Sequence, residues 1–335
     1  MFQFPRSLCP VLVVALLATA VADAQNQRED QTRERPRVTK EALLDLYDLS
    51  DARIDIDDLL APGMPQDGIP PLTDPKFENA SEAAFPPEEA RVAVVTINEE
   101  TRAYPLLILN FHEIVNHTVG GRPIAVLYCP LCDSVSVVDR TLDRGDDKDP
   151  LLLEFGVSGF LHHSNVVMYD RQTNSLWSQV FAQAVTGPHA GSTLRHLPFE
   201  MMRFAEFRAK HPDGAVLSRE TGHQRPYDVN RYERYFKSDR IFHAFDFGDE
   251  LPPKTLGMGI RADDFTAFVT QRRAKERRVT VETPHGKVIL SANESGFVIH
   301  ESPETVQTVQ TFFHSWSAFF RDTQIMASED ERATE

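Results

Sequence analysis

Two cysteines three residues apart, Cys129 and Cys132 in the run Tyr-Cys-Pro-Leu-Cys-Asp-Ser, hold the densest chemistry in this chain. Thiolates are soft ligands for copper or zinc, and a pair of them is also the reduced half of a disulfide couple. Apolar, β-branched runs flank the pair at residues 123–128 and 135–139, which places it at a tight reversal between two strands. A thioredoxin-type Cys-x-x-Cys instead opens a helix whose N-terminal N–H groups acidify the first thiol, and the residues after Cys132 are too β-branched for that. The spacing therefore predicts first a metal-ligand pair or a short disulfide, and second an exchanging dithiol. Pro130 has no N–H to offer a thiolate and Asp133 adds a like charge, so near-normal thiol pKa values are expected in the absence of a cation.

A closed metal site needs two ligands beyond the thiolates, and the only other cysteine, Cys9, sits in the extreme N-terminal apolar run. Histidine must supply them. His112 is the leading candidate because its segment feeds the strand that ends at Cys129; His162, His163 and Met168, beside Val166, are weaker ones. His117, five residues from His112, would point elsewhere on either a helix or a strand. The metal-free alternative is a Cys129–Cys132 disulfide with His112 hydrogen-bonded in the core. A second constellation, Asn165, Met168, Asp170, Trp177 and Gln179, could floor a pocket for a small molecule; read structurally, Asn165, Asp170 and Arg171 cap turns and Trp177 fills core. There is no Gly-x-Ser-x-Gly elbow, phosphate loop or dinucleotide fingerprint.

The elements that must position these groups are mostly strands. Residues 91–97 and 102–109 read as a hairpin, residues 151–157, 165–170 and 176–179 as further strands, residues 199–211 as a helix ending before Pro212, and residues 224–249 as a long aromatic, charged loop. Residues 256–268 can be laid beside 92–104, 285–293 beside 120–129, and 296–301 beside 134–139, an internal echo whose second copy lacks both cysteines. The expected fold is α+β and predominantly β, with two related β-rich halves, residues 69–220 and 250–323, packed together.

The N-terminus, with Arg6, an apolar run over residues 9–20 and Ala22-Asp23-Ala24, reads as a secretory signal spanning residues 1–24. Residues 25–40 form a polar leader, residues 41–323 the domain, and residues 324–335 an acidic tail. No later stretch approaches the about 18 apolar residues of a membrane helix, so the exported chain is expected to be periplasmic or extracellular without a stable anchor. Of 335 residues, 35 are Lys or Arg and 50 Asp or Glu, a net charge of −15 that disfavours nucleic acid as a partner.

Several stretches carry a resemblance. Arg102-Ala-Tyr-Pro-Leu106, His112-Glu-Ile-Val-Asn116, Gly120-Gly-Arg-Pro-Ile124, Tyr128-Cys-Pro-Leu-Cys132, Phe155-Gly-Val-Ser-Gly159, Ser164-Asn-Val-Val-Met-Tyr-Asp-Arg171 and Ser175-Leu-Trp-Ser-Gln179 together resemble the bacterial family catalogued as domain of unknown function DUF3179, from about residue 69 to about residue 323. The resemblance implies no activity. His117 stands where that family usually has an aspartate, so His117, His162 and His163 are not carried over as family site residues. The functional expectation is an exported protein with a copper or zinc site at Cys129, Cys132 and His112, for metal handling or metal-dependent oxidative chemistry. Its alternatives are a metal-free small-molecule binding module with a structural disulfide, and a thiol–disulfide oxidoreductase.

Overall fold

The computed structural model describes residues 37–145, 148–243 and 245–331. The expected signal segment, and the leader as far as Pro36, lie outside the described residues. The fold is α+β and mostly β, built on two eight-stranded sheets. Its first unit comprises β1 (Arg91–Ile97), β2 (Glu100–Pro105), α1 (Leu106–His112), β3 (Ile114–Val119), β4 (Arg122–Cys129) and β5 (Ser134–Asp139). An insertion then carries β6 (Phe155–His162), β7 (Asn165–Asp170) and β8 (Leu176–Ser178), after which β9 (Glu200–Arg203), α2 (Phe204–Lys210) and β10 (Ala215–Leu217) follow. The same order recurs downstream as β11 (Leu256–Ala262), β12 (Phe265–Thr270), α3 (Gln271–Glu276), β13 (Val279–Thr283), β14 (Gly286–Asn293) and β15 (Gly296–Glu301). It closes with β16 (Gln307–Phe312), α4 (Phe313–Ser317) and β17 (Gln324–Met326).

The pairing exchanges these units. One sheet joins the meander β3-β4-β5 through β16 to the hairpin β11-β12, and β17 runs parallel to β12 at its far side. The other joins the meander β13-β14-β15 through β9 to the hairpin β1-β2, with β10 parallel to β2. Alternating side chains explain the layering. Ala93 and Val95 of β1, Val126 and Tyr128 of β4, Met258 and Ile260 of β11 and Val288 and Leu290 of β14 meet in one buried core between the two sheets. The opposite faces are also apolar and also covered: Ala125, Leu127 and Cys129 pack against Phe155, Met168 and Trp177 of the insertion, and Val92 and Val94 pack against Phe204 and Phe207 of α2. Double-sided burial is why β4 and β5 read as near-continuous apolar runs rather than alternating ones.

Four segments differ from expectation. The expected strand 151–157 is instead a two-residue strand, Leu151–Leu152, paired with Thr141–Leu142, and the separate β6 that begins at Phe155. The apolar run 102–109 is strand only to Pro105; with φ fixed and no N–H to continue a ladder, Pro105 instead stands before the first turn of α1, and the leucines that follow are good helix formers. Residues 199–211 divide into β9 and α2, because Met201 and Met202 are needed as ladder partners of β1 and Glu200 as the link to β15. The expected tail is structured as far as Glu331: β17 pairs with β12, and the Glu331 carboxylate accepts hydrogen bonds from Thr270 and from the Ser328 N–H.

Candidate functional site

Cys129 ends β4, and its carbonyl accepts the Cys132 N–H at 3.2 Å, so the Cys-x-x-Cys closes one tight turn before β5. Asp133 leaves that turn at φ +45°, which sends its side chain away from the sulfurs. There its carboxylate takes both oxygens' hydrogen bonds from Arg91 Nη1, at 3.0 and 2.9 Å, and one from the Tyr128 hydroxyl. Arg91 Nε donates in turn to the carbonyl of Ser295, in the β14–β15 turn that occupies the equivalent place in the second unit. The turn is thus braced from the core side, and both thiols lie on the outer face under the insertion.

The sulfurs are free and buried, 3.2 Å apart. Both thiols reach one acceptor, the carbonyl of Ser164 in the β6–β7 turn, at 3.5 Å from Cys129 and 3.1 Å from Cys132. Burial pushes the Cys129 thiol up, but hydrogen bonds from the Cys132 thiol and from the N–H groups of Val166, Leu131 and Cys132 outweigh it and hold Cys129 below the ordinary thiol value. Cys132 moves the other way, raised by its own burial and by the charge on Cys129. The expectation of two ordinary thiols fails for two reasons. Pro130 costs one N–H, yet three others converge on the sulfur, and the Asp133 charge is spent on Arg91.

His112 is not part of this centre. At the C-terminus of α1 it is fully buried, with Nδ1 donating to the Pro70 carbonyl at 2.7 Å and Nε2 accepting from the Tyr227 hydroxyl at 2.5 Å. Both lone positions of the ring are therefore used, and desolvation lowers its pKa to about 4. The next residue is the one that feels the charge of Cys129. Glu113 sits at φ +58°, a left-handed conformation that a side-chain-bearing residue adopts only under constraint, and its N–H still closes the helix on Leu109. Its carboxyl is buried close to Cys129; burial first, and the Cys129 charge second, push its pKa well above the usual carboxylate value against the pull of Arg231.

Glu113 also lines a cavity of about 520 Å³, walled by Met64, Ile69, Phe111, Leu131, Phe160 and Val166, with Arg225, Arg231 and Tyr232 at its polar side. Arg225, Arg231 and Tyr232 come from the long connector between the two units, which also brings Tyr235, whose hydroxyl donates to the Leu131 carbonyl at 2.8 Å. A mostly apolar chamber lined by a carboxyl whose pKa is raised and by two guanidinium groups suits a small molecule with an apolar body and an anionic end.

Because the folded-state pKa of Glu113 is raised, its contribution to stability is complete below the ordinary value near 4.5 and is lost as the pH rises toward the folded value. Glu113→Gln is therefore expected to melt with wild type at pH 4 and above it at pH 8, as read by thermal denaturation at the two pH values.

The other sequence-derived candidates form a buried lattice under the cavity rather than its lining. Asp170 accepts from Trp177 Nε1 at 2.8 Å and from the Thr173 N–H and hydroxyl, which fixes the β7–β8 turn. Trp177 and Met168 are wholly buried against Phe155 and the outer face of β4. Gln179 accepts from Ser134 at 2.8 Å, and Asn165 accepts from Ser315 at 2.8 Å, beside Cys132. These residues set the distance between the insertion and the Cys-x-x-Cys turn. Glu113 was visible in the sequence as an acid inside an apolar run; Tyr232, Tyr235 and Ser315 gave no signal, since each reaches the site from more than 100 residues away.

No curated protein and no solved structure matches the chain. The model of the family described as "Protein of unknown function (DUF3179)" matches residues 66–331, all of the described fold except residues 37–65, and the chain belongs to that family.

Proposed function

We propose that this is an exported thiol–disulfide redox protein whose Cys129–Cys132 pair exchanges two electrons with a small disulfide bound in the adjacent cavity. The observation that carries the reading is the 3.2 Å approach of two unbonded sulfurs, with the Cys129 pKa shifted down and the Cys132 pKa shifted up from the ordinary thiol value. Closing to a disulfide of about 2.05 Å requires little movement. Two thiolates on one zinc ion, with bonds of about 2.3 Å, stand about 3.8 Å apart. Among the described residues, no third histidine, cysteine or carboxylate has a ligand atom within 4.8 Å of both sulfurs.

The chemistry balances as follows. The Cys129 thiolate attacks one sulfur of the bound disulfide, a Cys129–substrate S–S bond forms, and the departing thiolate takes the proton of Glu113. The Glu113 carboxylate then takes the proton of Cys132, the Cys132 sulfur attacks Cys129, and the second substrate thiolate leaves with that proton, so Glu113 ends as a carboxylate that regains its proton from water. The protein ends as a disulfide and the substrate as two thiols; a second dithiol must reverse the oxidation. Export rests on the signal-like N-terminus, and among the described residues no helix is long and apolar enough to cross a membrane.

A second reading, a copper or zinc ion on the two thiolates, is supported by the pairing of two free, soft sulfur donors in one buried turn. The two readings separate on protein purified without chelator. Redox chemistry predicts two thiols that convert to an intramolecular disulfide and back in glutathione buffers of defined ratio, with no stoichiometric metal. Stoichiometric copper or zinc that protects both thiols from alkylation would replace the first reading by the second, and a disulfide that resists mild reductant would leave neither.

A further inference from the structure

The β6–β7 turn that presents the Ser164 carbonyl to the thiols has a second side. It joins the paired residues His162 and Asn165 by two residues only, His163 at φ +46° and Ser164 at φ +63°. A two-residue hairpin turn with both φ values positive is where Asn-Gly normally serves, since a β-carbon is strained there. This chain instead places a histidine in the strained position. The consequence is geometric. Neighbouring side chains on a strand point to opposite faces, but the left-handed turn brings the His163 ring alongside that of His162, with centroids 4.4 Å apart and planes 28° from parallel.

A carboxylate is delivered to the same spot. The short strand Leu59–Leu60 pairs with β6, Leu59 opposite His162 and Leu60 opposite Leu161, so the residue before Leu59 falls across from His163. That residue is Asp58, the last of the 3-10 helix Ile56–Asp58. Ligand atoms of Asp58, His162 and His163 lie within 4.8 Å of one another. Phe319 stands edge-on to both imidazoles, at 5.1 and 5.0 Å, and closes the inner side, while Asp58 is exposed to solvent on the outer side.

We propose that Asp58, His162 and His163 bind one borderline divalent transition-metal ion, with zinc the type, at a site separate from the thiols. Two imidazoles and one carboxylate are the donors such ions prefer, and three protein ligands leave an outward coordination position open to water or substrate. Ligand atoms on one ion are about 3 Å apart, so binding draws the strained turn together from its present spread. The turn also carries the acceptor of both thiols, and the ion would fix that carbonyl in place.

Cobalt(II) titration of the chelator-treated full chain tests the assignment, because cobalt reports its ligands in the visible spectrum. The expected result is one equivalent bound, displaced by zinc, with d–d bands but no sulfur-to-cobalt charge transfer. Asp58→Asn, an exposed position where the fold is not at stake, should weaken binding at least ten-fold, as should His163→Ala, while the Cys129→Ser, Cys132→Ser double variant should bind as wild type does. Absence of binding to wild type overturns the proposal. So does binding that survives Asp58→Asn and His163→Ala or disappears with the cysteines.

Discussion

Cys129→Ser is expected to abolish disulfide reduction, a loss on the order of 10³-fold or more, because the variant retains no acidic thiol to attack substrate. Cys132→Ser should behave differently. Its Cys129 still attacks, but no second sulfur stands 3.2 Å away to expel the substrate, so a mixed disulfide accumulates on Cys129. Mass spectrometry of the intact protein after exposure to a small aromatic disulfide distinguishes the two: unmodified protein for Cys129→Ser, and one covalent adduct, released by reductant, for Cys132→Ser. Equal adduct formation on both variants would mean that the sulfurs are equivalent and that the N–H groups of Leu131, Cys132 and Val166 do not single out Cys129.

Acid is expected to weaken the fold sharply through His112. The unfolded imidazole protonates near 6.5, whereas in the folded chain desolvation holds the value at about 4, and the Nε2 lone pair is already occupied by the Tyr227 hydroxyl. A depressed folded value gives stability that is present above the unfolded pKa and is lost as the pH falls toward the folded one. Between pH 6.5 and 4.5 this amounts to about 2–3 kcal/mol, at about 1.4 kcal/mol per pH unit. His314, held near 3 by burial and by Lys254, acts in the same direction, so wild type shows the sum. His112→Asn should lower stability at pH 7 yet lose less on going to pH 4.5, and the difference between the two slopes, from urea unfolding at both pH values, isolates the residue. Parallel slopes would show that His112 is protonated without strain in the folded protein.

Much of the frame was legible from residue patterns. Strands flanking the cysteines, the turn between them, β7, β8 and the long connector all carry local signals, in β-branched runs and in clusters of turn formers. The site was less legible, because its parts are set by backbone reversals that a pattern does not encode. His112 and Glu113 are adjacent and both polar, and the left-handed conformation at Glu113 goes with the acid, and not the imidazole, lining the cavity. The like charge of Asp133 does not act on the thiols because its partner, Arg91, comes from another strand. Asp58 and His163 are brought together by a two-residue strand, too short to show any periodicity. The same brevity hid β17 inside what reads as a polar tail.

The exchange of meanders between sheets bears on the order in which the chain can acquire its structure. As synthesis passes the connector, β5 still lacks β16 and β9 still lacks β15, since those partners begin at residues 307 and 296. Neither sheet can be completed by the first unit alone, and its incomplete edges, β5 and β9, are largely buried apolar strands in the finished protein. Contacts this distant in sequence close late, after the entropy of a long loop has been met. A chain cut short before residue 296 therefore carries two open, apolar edges and is poised to pair with copies of itself, whereas the full chain covers both in a single closing step.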